Sequence, residues 1–287
     1  MSGAESAVRY GTQLSELERQ RPELGPWLRP LGIALNAAAL EPWRSLAPMC
    51  AQDRAADAPA LHGALVPLEP TAVRGHVRAV LAAALGSAGR ARRQEIDAAA
   101  LLEIAVAQDD EQLARLAADI DTDAAILAAA AQLAALPLLH ACARALAPHP
   151  VRGWTQRHCH VCGALPLMAE VIGLERTRQL RCGRCAAAWH TQVLLCPFCG
   201  ERDHARLGSL VPDGAVGQVC RIETCATCRG YWKTRTVLRS AAPEALLLDD
   251  ARTLELDVAA AERGYERPQR GGFATRIRIA PMSTIVS

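Results

Sequence analysis

Four Cys-x-x-Cys pairs crowd into seventy residues of this chain: Cys159/Cys162, Cys182/Cys185, Cys196/Cys199 and Cys225/Cys228. Two cysteines so spaced can grip one ion from a tight turn, a knuckle, and two knuckles complete a tetrahedral four-sulfur site. Eight thiols in four pairs therefore supply two complete sites with none left over. The order also repeats. Cys159-His-Val-Cys162-Gly163 corresponds to Cys196-Pro-Phe-Cys199-Gly200, and Cys185-x3-Trp189-His-Thr corresponds to Cys228-x3-Trp232-Lys-Thr. Spacers of 19 and 25 residues separate the paired knuckles. Sequential pairing, knuckles one and two around one ion and three and four around the other, is the simplest arrangement. An interleaved pairing is the alternative, and it would make no use of the repeat.

Four thiolates at about 2.3 Å suit Zn(II) or a single rubredoxin-type iron. The residue after the second cysteine often needs a positive φ, which glycine reaches without strain. Gly163 and Gly200 fit that place; Ala186 and Arg229 do not, so knuckles two and four are expected to turn differently. Arg181, Arg184 and Arg229 flank those knuckles and could offset thiolate charge, although each taken alone reads as a solvated side chain. A repeat of about forty residues is too short to bury a sufficient core, so a metal staple is expected. The alternation in Arg178–Arg181 and Val219–Thr224 predicts strands leading into knuckles. Trp189 and Trp232 read as core residues covering the sites.

The expected fold class is α+β: an all-helical bundle over residues 1–150, then two tandem rubredoxin-like or zinc-ribbon modules and a C-terminal helix within 151–287. The ribbons are placed at about 154–194 and 195–239. The helix is placed at about 243–263, with Pro243 in its first turn, Gly264 at its end and Leu246, Leu247, Leu254, Val258 and Ala259 as its buried face. Residues 268–287 are expected to form a loosely held tail. In the first half Thr71 is expected to cap a helix that buries Val73, Val77, Val80, Leu81 and Leu85. A second helix is read over Gln94–Ala107, a break at Asp109-Asp110, a cap at Thr122, a kink or restart at Pro137, and a close at Pro148-His149-Pro150.

Composition narrows the function classes. Residues 1–150 carry 13 basic and 17 acidic side chains and residues 151–287 carry 19 and 13, so the basic excess partly balances thiolate charge and is weak support for nucleic acid. Only two Phe and three Tyr occur, which argues against a basic-aromatic stripe for single strands. Lys233 is the sole lysine, a bias that reads as genomic. The apolar stretch near Ala124–Leu139 is broken by Gln132 and Pro137 and is too short to span a bilayer, and the start of the chain does not read as a secretory signal. Arg92-Arg93 is internal and does not read as an export signal. Eleven cysteines then argue for a reducing cytoplasm, where thiols hold metal rather than pair. Cys50, Cys142 and Cys220 lie outside the knuckles and read as small buried hydrophobes. His62, His76, His140 and His149 read as ordinary helix or loop residues, and no catalytic motif marks the chain as an enzyme.

The sequence resembles the formate dehydrogenase accessory protein FdhE family. The resemblance is carried by the four knuckles in order, by Leu180-Arg-Cys182 leading to Cys185-x3-Trp189-His190, and by Ile222-Glu-Thr-Cys225-x2-Cys228. It continues through Asp249-Asp250-Ala to Gly264-Tyr265. It implies a cytoplasmic, non-enzymatic assembly factor that binds the catalytic subunit of a respiratory formate dehydrogenase, a molybdenum or tungsten pterin enzyme, and is needed for its activation. It also implies two metal ions, iron favoured over zinc, held by Cys159, Cys162, Cys182, Cys185, Cys196, Cys199, Cys225 and Cys228. No nucleic acid and no membrane insertion are expected, and a homodimer is left open. The competing reading is a zinc-ribbon nucleic-acid binder or adaptor with purely structural metal; a dithiol oxidoreductase is disfavoured by the duplicated ribbon order.

Overall fold

The computed structural model describes residues 3–86, 95–148, 153–268 and 271–281. The chain divides into two compact units, Met1–Pro150 with Ala274–Ser287, and Val151–Phe273.

The first unit contains helices α1 (Gly3–Gln20), α2 (Gly25–Ala38), α3 (Pro70–Leu85), α4 (Ala98–Ala107), α5 (Asp110–Asp119) and α6 (Ala124–Leu146). Helix α6 is the hub, packing against α2, α3, α4 and α5. Its alanines permit that: Ala130, Ala131, Ala134 and Ala135 are buried and let neighbouring helices approach closely, while Leu127, Leu138 and Leu139 fill the spaces between them. Among the described residues α6 is the one helix long and apolar enough to cross a membrane, yet these side chains are core.

Several boundaries differ from expectation. The cap of α3 is Glu69, with Pro70 at the start and Thr71 inside the first turn. Asp97, Asp109 and Asp123 cap α4, α5 and α6, each accepting from backbone N–H groups of the first turn, so α4 begins at Ala98 and Asp123 takes the place expected of Thr122. An ionised carboxylate beside the positive helix end is the stronger acceptor. Pro137 neither restarts nor ends α6. Lacking an N–H, it leaves the Leu133 carbonyl without its helical donor, and at the next carbonyl His76 Nε2 donates to Ala134 O at 3.0 Å. His76 is buried, which lowers its pKa and keeps the ring neutral. Gln94, Arg92-Arg93, His149 and Pro150 lie outside the described residues.

This unit is not all helical. Strand β1 (Ala64–Pro67) pairs in parallel with a last strand, β8 (Ile277–Ala280), in the register Ala64↔Ile277 to Pro67↔Ala280. Ile279 N–H donates to Glu103 Oε1 at 2.6 Å. Residues 274–281, read from sequence as tail of the 151–287 half, therefore contribute to the first unit. Two four-residue strands more than two hundred positions apart carry no local sign that they will pair.

The second unit is built on a six-stranded sheet. It comprises β2 (Pro166–Ile172), β3 (Thr177–Cys182), β4 (Ala188–His190), β5 (Leu207–Leu210), β6 (Cys220–Cys225) and β7 (Tyr231–Val237), with helix α7 (Ala215–Val219) preceding β6. The order is β4-β3-β2-β7-β6-β5. Each ribbon is an antiparallel meander, β2-β3-β4 and β5-β6-β7, with β3 and β6 running into the second and fourth knuckles. The first and third strands of a meander point the same way. Setting two such meanders side by side without rotation therefore joins β2 to β7 in parallel, as found from Met168↔Lys233 to Ile172↔Val237. The two ribbons are thus one continuous sheet rather than separate modules, and the duplicated sequence appears as a translational repeat within it.

The predicted helix at 243–263 is two helices, α8 (Pro243–Arg252) and α9 (Leu254–Glu262). Thr253 Oγ1 donates to the carbonyls of Asp249 and Asp250, at 2.9 and 3.2 Å, and interrupts the helical phase. The buried set becomes Leu246, Leu248, Leu256 and Ala260, whereas Val258 is 52% exposed. Leu256 and Ala260 pack on Cys220, Ile222 and Tyr231, so Cys220 belongs to this apolar cluster and to neither cysteine group. Cys142 is buried as expected, but Cys50 is only half-buried. Nor is 271–273 loose, because Phe273 N–H donates to Gly163 O at 2.8 Å and a Cβ on Gly272 would fall 2.5 Å from that same oxygen.

Candidate metal centres

All four knuckles share one backbone design. The amide of the first cysteine donates five residues ahead: Cys159 to Ala164 O, Cys182 to Ala187 O, Cys196 to Glu201 O and Cys225 to Gly230 O, at 2.8–2.9 Å. In the first three, the residue after the second cysteine donates back to the first cysteine's carbonyl, as Gly163, Ala186 and Gly200 do at 2.9–3.0 Å. This closure needs a left-handed residue. Gly163 and Gly200 have φ of 80° and 81°, and Ala186 and Arg229 adopt 60° and 58°. The expectation that knuckles two and four turn differently is therefore wrong: the fold imposes the same turn on a non-glycine residue. Ala186→Gly should relieve about 1–2 kcal/mol of left-handed strain against about 0.4–1 kcal/mol of added chain entropy. A net rise in stability of roughly 0.5–1 kcal/mol is expected in thermal melts.

Arg229 is held in place by what its side chain does. Its Nε donates to Gly264 O at 3.0 Å, its Nη2 donates to Arg263 O at 2.8 Å, and its guanidinium lies 4.3 Å from the Tyr265 ring centroid. Although exposed, it caps the carbonyls that end α9. Arg181, by contrast, is withdrawn from solvent. It is buried and donates to Glu170 Oε2 at 2.6 Å, to Ser240 Oγ at 2.6 Å and to Ala241 O. The Arg181 charge is thus matched by Glu170, whose own pKa burial would raise but Ser240 and Arg181 hold low.

These turns gather the eight thiols into two groups in the sequential pairing, Cys159/Cys162/Cys182/Cys185 and Cys196/Cys199/Cys225/Cys228, with all four sulfurs of a group within 4.8 Å of one another. In the first group Cys159 and Cys185 Sγ atoms are 3.4 Å apart and Cys162 and Cys182 are 3.5 Å apart. In the second the Cys196–Cys228 and Cys199–Cys225 separations are 3.7 and 3.6 Å. A disulfide would need about 2.05 Å, whereas a tetrahedron of sulfurs at 2.3 Å from a central ion has edges of about 3.8 Å. The donor sets therefore fit one transition-metal ion each, and either group could hold one. Amides add to the fit, with Val161 N–H on Cys159 Sγ at 3.4 Å and Arg184 N–H on Cys182 Sγ at 3.4 Å.

The electrostatics of four packed thiols point the same way. Burial and like-charged neighbours push Cys159 and Cys185 up, while Cys182 is held low because hydrogen bonds from Cys159, Cys162 and Cys185 outweigh its own burial. The tryptophans behave as expected: Trp189 and Trp232 are buried, Trp189 edge-on to His160 and Trp232 edge-on to Phe198.

Sequence reasoning missed a second constellation, the charges beneath α8 and α9. Lys233 is fully buried, its Nζ 3.0 Å from Asp250 Oδ1, 2.8 Å from Asp250 O and 2.6 Å from Asp257 Oδ2. Arg267 makes a two-pronged contact with Asp250 at 2.8 and 2.9 Å and reaches Asp257 Oδ1 at 2.5 Å, an oxygen that also accepts from Tyr231 OH at 2.8 Å. The available clue was the isolation of Lys233 in a chain that otherwise uses arginine.

Fold and site together define a mixed helix-and-sheet protein bearing two tetrathiol metal cradles on one repeated sheet. Residues 194–272 match the family described as FdhE, C-terminal domain. A protein FdhE homologue of Pseudomonas aeruginosa is 37% identical over 114 residues, 38% of this chain and 37% of the relative. Protein FdhE of Escherichia coli is 28% identical over 123 residues, 42% of this chain and 38% of that one. The match to these curated relatives thus spans less than two fifths of their length. The crystal structure of the FdhE protein from Pseudomonas aeruginosa has the same fold, with a TM-score of 0.57 and 24% identity over 92% of this chain and 94% of that one. The resemblance to the FdhE family is therefore borne out: residues 194–272 match the FdhE C-terminal domain, and the fold of the FdhE protein runs through nearly the whole chain.

Proposed function

We propose that this protein is a cytoplasmic maturation factor for a respiratory formate dehydrogenase, docking that enzyme's catalytic subunit before it becomes active, and that it is an accessory protein rather than a catalyst. The reading is carried by the FdhE C-terminal domain spanning the second cysteine group. Under it Cys159, Cys162, Cys182 and Cys185 hold one ion and Cys196, Cys199, Cys225 and Cys228 the other, with iron favoured and zinc the alternative. Bound as a rubredoxin-type centre, iron would supply one-electron chemistry at the client's surface. The chain's own contribution is shape. The four knuckles belong to one continuous sheet, so the two cysteine groups are carried together rather than on independent modules.

The test is association. Full-length protein mixed with the purified, inactive catalytic subunit should co-elute in size-exclusion chromatography, and the free protein's elution volume shows whether it is a monomer or a homodimer. Absence of a complex with the metal centres both oxidised and reduced would overturn the client assignment. Metal analysis and a visible spectrum taken anaerobically decide the ion: ferric thiolate is coloured and bleaches on reduction, and zinc is colourless.

A further inference from the structure

The two cysteine groups share a sequence pattern and a backbone turn but not an environment. Every cysteine of the first group is buried, at 0–2% exposure. Knuckle one is closed over from within its own unit: the segment Gly271–Phe273 lies on it, with Phe273 N–H bonded to Gly163 O and no room for a Cβ at Gly272. Knuckle two is tied down by the buried Arg181, which donates to Ala186 O at 3.3 Å, and Trp189 and His160 add bulk beside it. In the second group Cys196 and Cys225 are buried, but Cys199 and Cys228, the second cysteine of each knuckle, reach the surface. Their neighbours Ala226, Thr227 and Arg229 are exposed as well, and so are Val193 and Leu194 ahead of knuckle three.

We infer that the two sites are divided in labour. The Cys159/Cys162/Cys182/Cys185 site is a closed staple, and the Cys196/Cys199/Cys225/Cys228 site is open to ligand exchange with soft, thiol-bearing molecules through Cys199 and Cys228. The inference rests on the metal reading above. The step needs no oxidant or reductant. An incoming thiol loses its proton as its sulfur takes a coordination place, and Cys199 Sγ leaves that place as the thiol carrying that proton. An exposed sulfur can be approached in this way without unfolding. A buried one first requires local opening, and the exchange rate falls with the population of the open state. The same asymmetry follows from packing. The open group has two sulfur-bearing residues, Cys199 and Cys228, that are not fully buried, whereas every cysteine of the closed group is buried.

The experiment uses full-length, metal-loaded protein, with metal content measured first, and a small dithiol chelator whose metal complex is coloured. Two equivalents of metal should leave in two phases of equal size, the first faster by at least roughly tenfold, as expected where one site exchanges directly and the other only through a costlier opening. Alkylation with iodoacetamide at the end of the fast phase, followed by peptide mass spectrometry, should label Cys196, Cys199, Cys225 and Cys228 and leave Cys159, Cys162, Cys182 and Cys185 protected. A Cys199→Ser variant should keep one slowly released ion and lose the fast phase. Release of both ions in a single phase, or labelling of the first group before the second, overturns the inference. Protein that carries no metal at all instead overturns the metal reading on which it rests, so the two failures are distinct.

Discussion

Replacing Lys233 with methionine should cost the second unit about 3–5 kcal/mol, the penalty for leaving a buried charge unpaired. Lys233 and Arg267 balance Asp250 and Asp257, two cations against two anions in a setting where Lys233 is wholly screened from water. Asp250 shows the dependence. Burial alone would raise its carboxyl, but Arg267 and Lys233 outweigh that and hold its pKa below the usual value. Removing Lys233 leaves one net negative charge on two carboxylates that are only 17–20% exposed. Lys233→Arg should fail almost as badly, which tests the geometry rather than the charge. The three protons of the ammonium match three acceptors, Asp250 O, Asp250 Oδ1 and Asp257 Oδ2. A planar guanidinium cannot converge its donors on that point. Hydrogen exchange of β7, α8 and α9 peptides across a urea series reads the loss within this unit alone. Unchanged protection in Lys233→Met would show that the ion cluster contributes little.

What could be read from the sequence, and what could not, follows from how local each feature is. A knuckle is written in five consecutive residues and its partner follows a spacer of 19 or 25 residues, so the eight cysteines and their simplest grouping are visible without a structure. The turn at Ala186 and Arg229 departs from residue preference because backbone closure of the knuckle and long-range bonds decide it; Arg229 has three such partners near Gly264. Arg178 and Arg181 read as the polar face of a strand. Both are buried, because Glu223, Glu170 and Ser240, drawn from 45 to 59 residues away or from a neighbouring strand, satisfy them. The split between α8 and α9 turned on a single threonine back-bond that reset the helical phase, and so moved Val258 outward. The union of two ribbons into one sheet depends on β2 meeting β7, a pairing across more than sixty residues that no local pattern encodes. Even so, the duplication already held the answer to its direction: identical meanders joined without rotation can meet only in parallel.

Refolding the denatured full-length chain without metal should leave residues 151–273 unfolded while helices α2–α6 recover their protection. Structural thiolate sites contribute on the order of 10–16 kcal/mol of apparent binding energy, more than the whole stability of a typical domain. Each ribbon has few alternatives to that source. Its strands are three to seven residues long, and much of its buried interior is either cysteine or paired charge. Four thiols held within 4.8 Å also disfavour the compact state unless a cation replaces their protons. The pH dependence follows with a definite sign. Burial raises Cys159 and Cys185 above their ordinary value, so in the metal-free protein these thiols stay protonated at neutral pH, and binding must expel the protons. Metal-dependent refolding should therefore weaken as pH falls, needing far more metal at about pH 5 than at about pH 8. Circular dichroism together with hydrogen exchange, following each unit separately across a zinc or ferrous titration, provides the measurement. Recovery of protected β2, β3, β6 and β7 amides in metal-free buffer would show that the sheet stands by its own packing, and the cysteine groups would then have to be explained by chemistry rather than by folding.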